Sequence, residues 1–251
     1  MSTPDARSST ELDVDPRVVV ARYGNQRAAV GSTLFAWLNL TLMLTFGWPA
    51  LVVLFDLPSM SIERMPMDWF LVRFGILLAA AVLTVFFWRS SPVPTWVLSR
   101  EAAVGVFQRG VLWTQGTLVL LGVCLVLAVM LLLANQGQAA RLLAFGIVDA
   151  FAVQALMSGY MKTAFDILLD RRQSFLLVLG LFTAFFGLQS MALAVAAVDS
   201  DQSALLALIA GATLGAVLGS VSLLLRDRSS SLLPGYLLHL FALHLVIPFF
   251  D

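Results

Sequence analysis

Six polar side chains with chemical potential interrupt stretches that are otherwise apolar: Asp149 and Gln154, Gln189 and Ser190, His239 and His244. Polar and ionisable groups are costly in hydrocarbon, so each is a functional candidate by default. Counting ~1.5 Å per residue from the ends of the apolar runs places Gln154 and His239 at similar depth, near mid-membrane. With Asp149 and Ser190 they could share one polar pocket. The chemistry open to that set is proton transfer through a carboxylate or an imidazole. The competing reading is a set of interhelical hydrogen bonds worth on the order of 1 kcal/mol each. Asp149 precedes Gln154 by five residues, a rotation of ~140° around a helix, which argues against its acting at the same point as Gln154.

Other chemistries find no footing. His239 and His244 are five apart, poorly placed on one helix face for joint metal or haem ligation. Ser158-Gly159 and Gly219-Ser220 lack the GxSx context of a rhomboid serine nucleophile, and neither an HExxH motif nor a nucleotide-binding glycine loop occurs. No metal and no cofactor are expected.

The elements that must position these groups are transmembrane helices. Of 251 residues 60% are hydrophobic and 12% charged, and the mean hydropathy is +0.92, whereas a soluble domain carries roughly 25% charged residues. Net charge is zero, so nothing argues for a nucleic-acid partner. Cys124 is the single cysteine, which excludes an intrachain disulfide and reads as small apolar filler. Residues 1–30 form a polar tail with no apolar core of the kind a cleaved signal peptide needs. The first span is therefore expected to act as its own insertion signal, after a disordered start and an interfacial helix over 16–30.

A hydrocarbon core of ~30 Å needs about 20 apolar residues in helix. Runs at roughly 31–57, 68–89, 110–134, 140–165, 173–198, 203–225 and 231–250 meet that length. The fold class is thus an all-α, polytopic integral membrane helical bundle of about seven transmembrane helices, its partner the lipid bilayer. Gly47-Trp48-Pro49 should kink the first run, and Pro248 breaks the last. With the N-terminus cytoplasmic, 12 of the 15 basic residues fall on inner segments, and only Arg64, Arg73 and Arg141 fall outside. Trp69, Trp88, Trp96 and Trp113 fit an aromatic belt, and segment 91–109 is either an interfacial amphipathic helix or a plain loop. In the sixth span Ala207, Gly211, Gly215 and Gly219 recur every four residues, a small-residue stripe for close helix packing, within the chain or between copies.

From about residue 140 onward the chain resembles the CAAX protease and bacteriocin-processing (CPBP or Abi) intramembrane proteases. The resemblance rests on Gly215-Ala-Val-Leu-Gly219 followed by Ser231-Leu-Leu-Pro-Gly-Tyr-Leu-Leu-His239, on Val153-Gln-Ala-Leu-Met-Ser-Gly-Tyr160 in register with EExxxRG, and on Phe186-Gly-Leu-Gln-Ser190 in register with FxxxH. It implies a protease-derived core over 140–251, preceded by helices one to three (31–139) of unassigned role, and a multi-pass location in the bacterial inner (cytoplasmic) membrane. The catalytic groups are mostly replaced. Val153 and Gln154 stand where the family has its paired glutamates, Ser158 where it has arginine, Ser190 where it has the FxxxH histidine, and Leu243 where it has asparagine; only His239 is retained. An uncharged amide cannot take a proton from water as a carboxylate does, so no catalytic residue is expected.

Three functions follow. The first is a pseudoprotease that serves as scaffold or adaptor for a membrane-protein partner. The second is an endopeptidase using displaced residues such as Asp149 with His239. The third is a transporter or permease subunit whose polar residues line a path.

Overall fold

The computed structural model describes residues 26–55, 65–91, 93–95, 97, 139–196 and 203–242, with 116, 119, 120, 122, 123, 125–127, 129 and 130 between them. The expectations for the tail up to residue 25, Cys124, Leu243, His244, Pro248, Trp96, Trp113 and most of 91–109 lie outside the described residues.

Apolar sequence of this length can satisfy its backbone groups in lipid only within a helix or a closed barrel. Among the described residues there is no strand. The helices are α1 (Gln26–Leu54), α2 (Met67–Ser90), α3 (Ala139–Gln154), a π-helical segment (Ala155–Met161), α4 (Lys162–Leu168), α5 (Arg171–Ala196), α6 (Ala204–Ser229) and α7 (Leu233–His239). Five described stretches are long and apolar enough to cross a membrane: Leu34–Leu54, Met67–Ser90, Ala140–Leu168, Arg171–Ala196 and Ala204–Ser229. A shorter apolar helix, Leu233–Ala242, follows them. The protein is a multi-pass helical bundle. α1 begins at Gln26, ahead of the apolar run, and continues through Pro49.

The continuous helix from α3 through α4 is the centre of the bundle. Of its most apolar window 72% is buried, against 22–33% for the other four. Every residue of the π segment is buried, and its wider turn shifts the phase of everything after Gln154 relative to everything before it. Sequence periodicity carries no mark of that shift. Gly159, within the segment, packs closely on Trp88: a Cβ there would fall 2.5 Å from the indole ring. Trp88 is itself held in place by its Nε1–H, which donates to the Pro94 carbonyl at 3.0 Å.

α5 and α6 pack antiparallel. A Cβ on Gly211 would meet Ser190 Oγ at 2.3 Å and the Phe186 carbonyl at 2.4 Å; on Gly215, the Phe182 carbonyl at 2.7 Å; on Gly219, the Phe182 Cβ at 2.8 Å. The stripe therefore receives α5 of the same chain. Local signals set the ends of these helices: Asp170 Oδ1 accepts from the Gln173 N–H at 2.8 Å as α5 begins. Ser230, in the left-handed region at φ 55°, closes α6 through its N–H to the Arg226 carbonyl.

α2 and α3 run parallel. Near their starts Arg141 donates to the Met65 carbonyl at 2.9 Å, and further along Trp88 meets Gly159. Between them, the residues described from 116 to 130 are helical.

Candidate functional site

The polar residues of α3, α6 and α7 meet where α7 lies against the centre. Gly235 permits the approach, since a Cβ there would sit 3.1 Å from Gln154 Oε1 and 3.3 Å from the Ser222 Cβ. Gln154 is the hub. Its Oε1 accepts from Ser158 Oγ at 2.8 Å, and its Nε2 donates to Ser222 Oγ at 3.2 Å and faces His239 Nδ1 at 3.4 Å. An amide nitrogen has two hydrogens, and each has an acceptor here if Nδ1 is the unprotonated ring nitrogen. That tautomer puts the imidazole proton on Nε2, which lies 3.8 Å from Asp149 Oδ2, a span suited to an electrostatic contact or one bridged by water. Phe186 packs on the imidazole with ring centroids 5.5 Å apart. Gln154, Ser158, Ser222 and His239 are all at most 1% exposed.

The structure thus brings Gln154, Ser158 and His239 together, and sets Asp149 on the far side of the same imidazole. The ~140° between Asp149 and Gln154 does not separate their contacts, because a ring from another helix presents one nitrogen to each. Val153 is buried in the apolar core. Ser190 lies apart from the Gln154 hydrogen bonds, against Gly211, on the wall of a neighbouring cavity.

That cavity has a volume of about 220 Å³ and is bounded by α1, α2, α3, α5 and α6. Its polar lining is Thr45, Arg73, Asp149, Gln189 and Ser190. The Arg73 guanidinium carbon sits 5.3 Å from the centre of the Trp48 ring and 4.9 Å from that of Phe145, an aromatic clamp on a cation, and Asp149 acts on it electrostatically. Leu44, Ile76, Leu77, Phe186, Leu193 and Leu214 make up most of the apolar wall.

A second polar cluster occupies the opposite end of the bundle, where α4, α5 and α6 meet. Lys162, wholly buried, pairs with Asp166 one turn on and with Asp227 at 3.4 Å. Arg226 reaches Asp166 at 2.9 Å, Asp227 at 3.1 Å and Thr163 Oγ1 at 2.8 Å, while Ser174 donates to Asp166 at 2.8 Å. Arg171 adds an exposed contact to Asp227 at 3.3 Å. Among the described residues no group of three His, Cys, Asp or Glu could hold a metal.

Sequence reasoning missed Arg73, Thr45, Ser222 and the burial of Lys162. Arg73 counts among the outer charges in the orientation arithmetic although it stands six residues into α2, between Val72 and Phe74. An arginine inside an apolar run was the signal. Ser222 and Thr45 gave none, because hydroxyls are common on membrane helices as local back-bonding groups.

The chain matches no protein-family profile, no curated protein and no solved structure.

Proposed function

We propose that this protein is a non-catalytic membrane subunit, a scaffold or adaptor built on a CPBP-like core. The observation that carries the reading is the state of Gln154. Where a protease of that kind places a water-activating carboxylate, this chain has an amide whose oxygen and nitrogen are engaged by Ser158, Ser222 and His239. Uncharged groups bound to one another brace α3, α6 and α7, and burial excludes a peptide bond from them. The cavity of about 220 Å³ is too small for a partner helix, so a partner would dock on the outer helix faces. In this reading the chain crosses the bacterial inner membrane seven times with its N-terminus in the cytoplasm. The parallel start of α2 and α3 supports a crossing between them.

Tagged purification from native membranes in a mild detergent should recover a stoichiometric membrane-protein partner. Recovery of the chain alone, across detergents that preserve its fold, would count against the adaptor reading.

A specific observation also favours a second reading. Asp149 and His239 form a carboxylate–imidazole pair at 3.8 Å, which could move a proton during peptide hydrolysis. In that case Asp149→Asn and His239→Gln would each abolish processing of a membrane peptide that the unmodified protein cleaves.

A further inference from the structure

We infer that the cavity between α1, α2, α3, α5 and α6 is a binding site for a small zwitterion, an α-amino acid with an apolar side chain. The inference stands apart from the scaffold reading, since it uses a different space in the bundle. It starts from Arg73. A guanidinium has five N–H donors, and among the described residues those of Arg73 have no hydrogen-bond acceptor: its contacts are the two aromatic faces and the field of Asp149. Trp48 and Phe145 hold the plane of the cation without using its edge, and the edge is the part that receives a carboxylate in a fork.

Thr45 lies on the wall beside Arg73. It lines the cavity, is 0% exposed, and its Oγ1 has no hydrogen-bond partner among the described residues. A helical threonine ordinarily bonds back to the carbonyl one turn earlier, as Thr84, Thr183 and Thr213 do in this protein. A buried hydroxyl that forgoes that bond costs free energy unless something else fills it. Pro49, one turn on, has no N–H and so offers nothing to the Thr45 carbonyl. One residue on the cavity wall therefore has both a hydroxyl and a carbonyl outside the usual helical pattern.

Charge balance selects the ligand class. Arg73 and Asp149 face the same space and together contribute no net charge. A lone carboxylate or a lone ammonium would leave one uncompensated charge within the bundle, which is expensive there. A zwitterion adds none: its carboxylate goes to Arg73, its ammonium to Asp149, with Ser190 and Gln189 alongside. A volume of about 220 Å³ holds several waters, enough for an amino acid of modest size. The remaining wall is apolar, which suits an aliphatic side chain. Arg73 is six residues into α2 and Ser190 six before the end of α5, so the site lies ~9 Å from the end of the bundle at which α1 finishes, and it would load from that side.

The test is calorimetric titration of the purified full-length protein in nanodiscs with L-leucine and L-alanine, beside 4-methylpentanoate and 3-methylbutylamine, which carry one charge each. The expected result is saturable binding of L-leucine, weaker by about tenfold or more for either single-charge analogue. Arg73→Gln and Asp149→Asn should each weaken it by about tenfold or more. Should Arg73→Gln fail to fold, Leu193→Trp fills the cavity from its rim and should abolish binding. No heat with either amino acid at millimolar concentration overturns the inference, as does equal binding of 4-methylpentanoate and L-leucine, or unchanged L-leucine binding by a folded Leu193→Trp protein.

Discussion

His239 places one ring nitrogen 3.4 Å from the Gln154 amide and the other 3.8 Å from the Asp149 carboxylate, so a single side chain of α7 ties two faces of α3. Removing the imidazole should loosen α7 as a whole. His239→Ala is expected to lower stability by about 2–4 kcal/mol, combining a lost buried hydrogen bond with an unfilled volume. Denaturant titration of the protein in mixed micelles measures it. A double-mutant cycle between Gln154→Ala and His239→Ala should give a coupling of about 0.6–1.7 kcal/mol. A coupling indistinguishable from zero would mean that the two side chains are neighbours without an energetic bond.

The glycine stripe offers a comparison within one protein. Gly211→Ala drives a methyl against the Phe186 carbonyl, a backbone atom that cannot rotate away, and should cost about 1–3 kcal/mol or more through overpacking. Gly75 and Gly180 have open space at the same construction point. Alanine there should be neutral or stabilise by up to about 1 kcal/mol, because helix propensity favours it. Thermal unfolding of the three variants side by side decides the matter. Equal effects at all three positions would show that α5 and α6 approach less closely than described.

What could be read from sequence divides along physical lines. The helical runs follow from hydrophobic length, and the closeness of α6 to another helix follows from the spacing of Gly211, Gly215 and Gly219, because both are local properties. The similar depth of Gln154 and His239 was accessible by counting along their helices. The half-buried setting of Arg73 and the burial of Lys162 were not accessible in that way. Orientation arithmetic treats every cation as a loop residue, and neither partner of Lys162 beyond its own helix, nor the aromatic clamp on Arg73, is close in sequence. The π segment was illegible for a different reason: no local pattern in Ala155–Met161 announces it.

The ion cluster at the far end separates buried from exposed electrostatics. Asp227 serves Lys162, Arg226 and Arg171 at once. Asp227→Asn leaves Lys162, which is 1% exposed along its side chain, short of an anion. It should destabilise by about 3–5 kcal/mol, the range for breaking a buried pair. Arg171→Ala removes the one cation of the set with a side chain 75% exposed and should cost no more than about 1 kcal/mol. Raising salt to ~1 M, where the screening length is ~3 Å, should erase the small Arg171 effect and leave the Asp227 effect nearly intact. Unfolding curves at two salt concentrations check both.

The proposed seven crossings with a cytoplasmic N-terminus make a prediction about three positions that are far apart in sequence. In a Cys124→Ser background, single cysteines replace Ser59, Gln136 and Arg228 in turn. Residue 59 precedes α2 and residue 136 precedes α3, and those helices start at the same end, as the Arg141 bond to the Met65 carbonyl fixes. Both should react with a membrane-impermeant maleimide on intact cells. Arg228 is exposed near the end of α6, on the side of the ion cluster, and its cysteine should react only after permeabilisation. Reversal of all three would keep the crossing count and invert the orientation. Labelling of residues 59 and 136 from opposite sides would break the parity itself, because the chain between α2 and α3 would then fail to recross the bundle, and the seven-span reading would fall.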